Sequence, residues 1–133
     1  MTFSCVRPPA SQDAAANDPL PDVGAYARKL LGQRRRRDQI FGVDLFGEPV
    51  WDMLLDLFAS TSEGREVSIS SLCIASGVPT TSALRHIAML VERGLLLRRR
   101  DFRDGRRVLM ELSPALQERL GLLLLGWMED GSE

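Results

Sequence analysis

The sequence predicts a mainly α-helical fold with a small β-hairpin, a winged helix-turn-helix with an additional helix at each end. Two stretches carry that prediction. In Ser68-Ile69-Ser70-Ser71-Leu72-Cys73-Ile74-Ala75-Ser76-Gly77-Val78-Pro79-Thr80-Thr81, one helix stops at Gly77 and another starts a few residues later. In Arg98-Arg99-Arg100-Asp101-Phe102-Arg103-Asp104-Gly105-Arg106-Arg107, a hairpin turn carries most of the local positive charge. Helix, turn, helix, strand, basic loop and strand is the order of a winged helix, a fold commonly used to read duplex DNA. Fold alone does not prove that use.

At 133 residues, 44% hydrophobic and 26% charged, the chain suits one globular domain with a core that needs neither metal nor disulfide. Cys5 and Cys73 fall in an expected tail and an expected buried helix, so no bridge between them is anticipated. The longest apolar run, Leu120 to Met128, is far shorter than the roughly 20 residues of a membrane span. With no export signal at its start, the chain reads as a soluble cytoplasmic protein without membrane partners, nucleoid-associated when bound to DNA. The formal net charge of -1 argues against nucleic acid, but its distribution does not. Between Thr80 and Arg107 eight arginines face three acids, leaving the acid excess to the rest of the chain. The plainer alternative is a solvated charged surface.

Residues 1-22, rich in Pro, Ala, Ser, Asn and Asp, read as a flexible tail. From Val23, the positions Val23, Tyr26, Ala27, Leu30 and Leu31 repeat at helical spacing, and the helix can continue through Arg34-Arg35-Arg36-Arg37 to Ile40 and Phe41. Four consecutive arginines point in every direction around a helix, so they make no single DNA-facing stripe. Phosphate contact, solubility and an acidic partner helix all remain open for them. This helix and its connector fill residues 23-48. Pro49 suits a first helical position, and Trp51, Leu54, Leu55 and Phe58 form an apolar stripe behind it. Asp52 and Asp56, spaced i, i+4 on another side, lack a third ligand or a nucleophile; Asp52 is better read as complementing the helix N-terminus.

Gly64-Arg65-Glu66-Val67 ends a loop and can form a short strand. Ser68 should cap the next helix, whose Ile69, Leu72 and Cys73 share a face. Gly77 permits a left-handed stop and Pro79 restricts Val78 to extended geometry. On the helix from Thr80 to Glu92, at about 100° per residue, Ala83, Ile87 and Leu90 should face the core. Opposite them lie Thr81, Arg85, Ala88 and Glu92, flanked by Ser82 and Met89. Small hydroxyls plus one arginine suit a major groove, where Arg can pair with guanine O6 and N7. The helix start favours phosphate. His86, between the two faces, is expected to pack or touch a phosphate; it is too isolated for a metal site. After Gly94, Leu95 and Leu97 alternate with Leu96 and Arg98 in a strand, and Val108, Met110 and Leu112 alternate on its return, with a hairpin turn at Asp104-Gly105. Arg103, Arg106 and Arg107 around that tip could enter a minor groove; charge that blunts an exposed edge is the plainer reading.

Leu72 through Leu97, then Asp101-Phe102-Arg103-Asp104-Gly105-Arg106-Arg107 and Leu112-Ser113, resemble the winged-helix core of MarR-type bacterial transcriptional regulators. Asp104-Gly105-Arg106 is similar to that family's Asp-x-Arg wing element, and Leu112-Ser113 stands where the family has Leu-Thr. The resemblance covers roughly half the chain. IclR-type regulators share Gly94-Leu95 and the hydroxyl-rich helix start, and the N-terminal tail departs from the compact start of MarR proteins. The resemblance implies a homodimer with recognition helices in adjacent major grooves and wings on the flanking minor grooves.

After Pro114, the positions Leu116, Leu120, Leu123, Leu124 and Trp127 recur at helical spacing, widened by Leu122 and Leu125. So apolar a helix should bury more than one face, which makes residues 113-133 a dimerisation element, or else simply a well-buried last helix. The winged helix-turn-helix proper is then residues 49-112. The expected DNA-binding residues are Ser68, Thr80, Thr81, Ser82, Arg85, His86, Met89, Arg103, Arg106 and Arg107. The function so predicted is sequence-specific double-stranded DNA binding by a homodimer that regulates transcription; the alternative is a winged helix used for protein contact. No phosphate loop, ligand cluster or nucleophile-base-acid set suggests an enzyme or a cofactor. The residues neither name nor exclude a small-molecule effector.

Overall fold

The computed structural model describes residues 22–42 and 47–131; the expected tail, Cys5 and part of the connector lie outside them. The elements run α1 (Val23–Phe41), α2 (Pro49–Ser62), β1 (Val67–Ser68), α3 (Ile69–Ser76), α4 (Thr80–Glu92), β2 (Leu96–Arg100), β3 (Val108–Leu112) and α5 (Pro114–Gly131). The three strands form an antiparallel sheet in the order β1-β3-β2. Helices α3 and α4 with this sheet make the winged helix-turn-helix, and α1 and α5 pack together beside α2.

Local chemistry explains most of the boundaries. Asp22, expected to end the tail, is instead the cap of α1: its carboxylate accepts the Ala25 N–H at 2.9 Å. Pro49 opens α2, where its missing N–H costs nothing. Ser68 Oγ accepts the Ser71 N–H at 3.1 Å and starts α3. Gly77, at φ 75°, stops it in the left-handed region. Ser113 caps α5 by accepting the Leu116 N–H at 3.2 Å, while its own N–H donates to the Leu95 carbonyl at 2.9 Å. After buried Leu112, the Ser113 backbone thus closes onto Leu95 while its hydroxyl begins the last helix.

Helix α2 is more central than a single stripe of Trp51, Leu54, Leu55 and Phe58 implies. From Asp52 to Ser60 every residue except Leu54 is buried, because α1, α3, α4, α5 and the sheet surround it. The core joins Ala27 and Leu31 of α1 to Met53, Leu55, Leu57 and Phe58, then to Leu72, Ile87, Leu96 and Met110, and ends on Leu120 and Leu124 of α5. Cys73 packs here as a small apolar group, its thiol pushed up by burial. Gly24 allows α1 to approach α2 closely: a Cβ there would lie 2.2 Å from that of Ser62.

Burying Asp52 and Asp56 requires partners, and α1 supplies them. Arg28 pairs with Asp56 at 2.9 Å and with Glu63 at 3.1 Å. Arg34 pairs with Asp52 and with Glu48, the latter at 2.9 Å. Asp52 therefore does more than complement a helix start. Of the arginine run, Arg34 meets an acidic helix, α2 of the same chain. Arg35 Nη2 donates to the Ala75 carbonyl at 3.0 Å, in the last turn of α3, so this residue ties α1 to the helix-turn-helix.

Candidate nucleic-acid interface

Helix α4 divides its surface as the 3.6-residue period requires. Ala83, Ile87 and Leu90 are buried, while Thr80, Thr81, Arg85, Ala88 and Glu92 are exposed. No side chain caps its start, since Pro79 occupies that position, so the first N–H groups meet no capping oxygen. Gly94, at φ 75°, ends the helix, and the Leu95 N–H closes back onto the Leu90 carbonyl at 2.9 Å. Leu95 thereby belongs to the turn, and β2 begins one residue later, with Leu96 fully buried and Leu97 exposed.

The expected contact residues do not all share this open face. Ser82 and His86 are half-buried. Met89 packs against the core, so it is a poorer candidate for a base than for the helix underside. Ser68 is half-buried and its hydroxyl is engaged in capping α3. Thr80, Thr81 and Arg85 remain as the exposed set on the first half of α4.

The hairpin differs from a two-residue turn at Asp104-Gly105. The strands pair from Leu96↔Leu112 to Arg100↔Val108, and residues 101–107 form a larger loop. Gly105 does not take the positive φ that a two-residue type I′ turn at Asp104-Gly105 requires of both residues. The tight turn instead spans Asp104 to Arg107, whose N–H donates to the Asp104 carbonyl at 2.9 Å. Asp104 Oδ1 also accepts the Arg106 N–H at 3.1 Å, a side-chain bond typical of Asp in turns. Val108, expected on the inner face of β3, is only half-buried, whereas Leu109 on the opposite face is buried with Met110 and Leu112.

Asp101, absent from the residues that the sequence pattern singles out, organises this loop. Its buried carboxylate accepts the Arg103 N–H at 2.9 Å and Arg107 Nη1 at 3.0 Å, and its own N–H donates to the Arg107 carbonyl at 3.1 Å. The Arg103 amide, then the Arg103 and Arg107 charges, hold the Asp101 carboxyl below the usual aspartate range. Glu66, just before β1, binds Arg99 at 3.1 Å and Arg103 at 3.0 Å. Arg103 is thus oriented from outside the loop, and Arg107 from within it. Arg106 extends furthest, its side chain 94% exposed, with only a 3.4 Å approach to Asp104. The one signal for Asp101 in the sequence is that it is the acid opening an otherwise basic loop.

At the far end, α5 divides the residues expected at a dimer face between the protomer's own core and its surface. Leu120 and Leu124 belong to the protomer's own core and Leu116 packs against it. Leu122, Leu123 and Trp127 are the exposed apolar residues of α5, at 60%, 44% and 40%. Trp127 also meets Trp51 edge-on, ring centres 5.9 Å apart. Ile40 and Phe41 at the end of α1 are exposed as well. Among the described residues no helix is long and apolar enough to cross a membrane, and no cluster of ligating side chains could hold a metal ion.

No family model and no curated protein matches the chain by sequence. Among solved structures, S. aureus MepR in a DNA-binding conformation aligns over 80% of both chains, with a TM-score of 0.51 and 15% identity. The chain shares the winged-helix fold of MepR, a MarR-family regulator. Heme-free PefR aligns over 80% of this chain and 96% of its own, at TM-score 0.43 and 15% identity. BldR from Sulfolobus solfataricus aligns over 80% and 69%, at TM-score 0.43 and 22% identity. In this fold α4 is the second helix of the helix-turn-helix, and residues 101–107 are the loop between β2 and β3.

Proposed function

We propose that the protein is a homodimeric transcriptional regulator that binds a specific duplex DNA site. The observation that carries this reading is the open face of α4, with Thr80, Thr81 and Arg85 exposed over an uncapped helix start while Ala83, Ile87 and Leu90 anchor the other side. Hydroxyls and helix N–H groups suit phosphate, and Arg85 suits a guanine edge in the major groove. Arg106, with Arg103 and Arg107, supplies wing charge for a minor groove. The likeness to MepR, seen in a DNA-binding conformation, supports the same use.

Dimerisation would join Leu122, Leu123 and Trp127 of α5, with Ile40 and Phe41 of α1, to their two-fold copies. Selection from a random duplex pool, followed by titration of the winning site against salt, tests the proposal. A single enriched motif and a steep linear loss of log affinity with log salt are expected. Retention of no duplex, with capture of acidic protein surfaces instead, would favour the protein-contact alternative.

A further inference from the structure

Phe102 is 95% exposed, although it lies between two well-anchored residues. Asp101 before it is buried and tied to Arg107 through both backbone and side chain; the Arg103 N–H after it is held by the Asp101 carboxylate. Arg100, the last residue of β2, braces the loop by donating from Nη1 to the Gly105 carbonyl. The phenyl ring is therefore held out into water by a hydrogen-bonded loop, while Leu109 and Met110 of the same sheet are buried. The same loop carries Arg103, Arg106 and Arg107, which pair with Glu66, Asp104 and Asp101, and Arg106 is the most exposed of them, at 94%, with the loosest pairing. A partner for this tip must offer strong negative charge beside an apolar slot. The minor groove of duplex DNA does so, because phosphates line it and a base step can open to an apolar side chain.

We propose that Phe102 is a wedge that enters the minor groove beside the α4 contact, partly unstacks one base step and bends the duplex. The inference rests on the DNA-binding reading above and assigns that surface a further, shape-reading residue. Pyrimidine–purine steps unstack most readily, so the selected site should carry one at a fixed distance outside each major-groove contact. The charged neighbours would hold the flanking phosphates, and the ring would contribute the deformation.

The test uses the full chain and its selected duplex with 2-aminopurine placed at successive flanking steps. Wild type should raise the emission at one step per half-site and give a bent complex in circular-permutation electrophoresis. Phe102→Ala should abolish the emission rise, reduce the bend and weaken binding roughly tenfold, with the α4 footprint unchanged; Phe102→Leu should restore part of each. Because the side chain is exposed, circular dichroism should be the same for all three proteins. Wild type and Phe102→Ala with equal emission and equal bending on a bound duplex would overturn the wedge and leave the DNA-binding reading intact. Failure of wild type to bind any duplex would overturn both. Loss of self-association in Phe102→Ala, with unchanged DNA complexes, would assign the ring to a protein contact and also overturn the wedge.

Discussion

Arg34 donates from Nε to the Asp52 carboxylate across the α1–α2 contact, where both side chains are largely withdrawn from water. Burial nevertheless raises the Asp52 carboxyl above its ordinary range, because desolvation outweighs the neighbouring cation. The pair is asymmetric. Arg34 also holds Glu48 at 2.9 Å, whereas Asp52 relies on Arg34 as its hydrogen-bonded cation. Arg34→Met should then cost about 3–5 kcal/mol by stranding a buried carboxylate. Asp52→Asn should cost about 1 kcal/mol, the scale of one hydrogen bond. Urea midpoints of the two variants would decide it, and the reverse ranking would disprove the asymmetry.

The same residue sets a pH dependence. A carboxyl whose pKa is higher folded than unfolded binds its proton more tightly in the folded state. Its contribution therefore favours folding at low pH and is withdrawn as pH rises from the ordinary aspartate value through the raised one. Asp52→Asn should flatten that part of the stability profile. An unchanged slope in the variant would assign the dependence elsewhere.

Asp101 has the opposite sign. Its carboxyl is depressed, chiefly by the Arg103 amide, so its contribution is present above the unfolded value and lost as pH falls through the folded one. Protection of the Arg103 and Arg107 amides, measured against the intrinsic exchange rate at each pH, should be high at neutral pH and fall below about pH 4, near and under the ordinary aspartate value. Asp101→Ala should remove that protection at neutral pH while leaving the α4 amides protected. Equal loss in both elements would mean that the substitution unfolds the whole domain.

The core face of α4 is legible in the sequence because one amphipathic helix with Ala83, Ile87 and Leu90 at helical spacing needs no knowledge of its neighbours. Gly77, Ser68 and Pro49 are legible for the same local reason. Pairing across the chain is not. Asp52 and Asp56 carry no mark of burial in the sequence; only the packing of α1 on α2 brings Arg28 and Arg34 to them. Glu66 reaches Arg99 and Arg103 only because β1 pairs with β3 beside β2. The apolar surface of α5 invites an interface reading of every leucine, but period alone does not divide Leu120 and Leu124 from Leu123. That division follows from where α1 and α2 lie.

Close approach at Gly24 gives a stability test of the α1–α2 contact. A methyl group there would meet the Ser62 side chain at 2.2 Å for Cβ and 2.4 Å for Oγ, so helix or side chain must shift. Gly24→Ala is expected to cost about 1–3 kcal/mol despite its better helix propensity, since overpacking outweighs it. Gly32, with open space at its Cβ, provides the control: Gly32→Ala should stabilise by up to about 1 kcal/mol. Thermal melts showing equal effects at both positions would remove close packing as the reason for Gly24.

Arg85 and Arg106 should separate base reading from backbone attraction. Arg85→Ala is expected to weaken binding to the selected site by about 1–3 kcal/mol and to relax preference at one base pair. Arg106→Ala should weaken binding to all sequences alike and reduce the salt slope by about 0.9 for each phosphate that the arginine neutralises. Competition with single-base variants of the site gives both readouts. Identical behaviour of the two variants would argue against dividing the surface between helix and wing.

The two sides of α5 should respond differently to substitution. Leu124 is fully buried within one protomer, so Leu124→Ala should cost about 2–5 kcal/mol at any protein concentration. Leu123 is 44% exposed, and Leu123→Asp together with Leu122→Asp should leave the monomer folded but disfavour association, because a second copy would have to bury those charges. If the dimer is two-fold, its recognition helices stand about 34 Å apart, and loss of the dimer should convert tight binding of a near-palindrome into weak binding of a half-site. Sedimentation at micromolar concentration, alongside binding to whole and halved sites, measures both. A wild-type protein that sediments as a monomer yet binds the full site tightly would remove α5 as the interface and the palindrome with it.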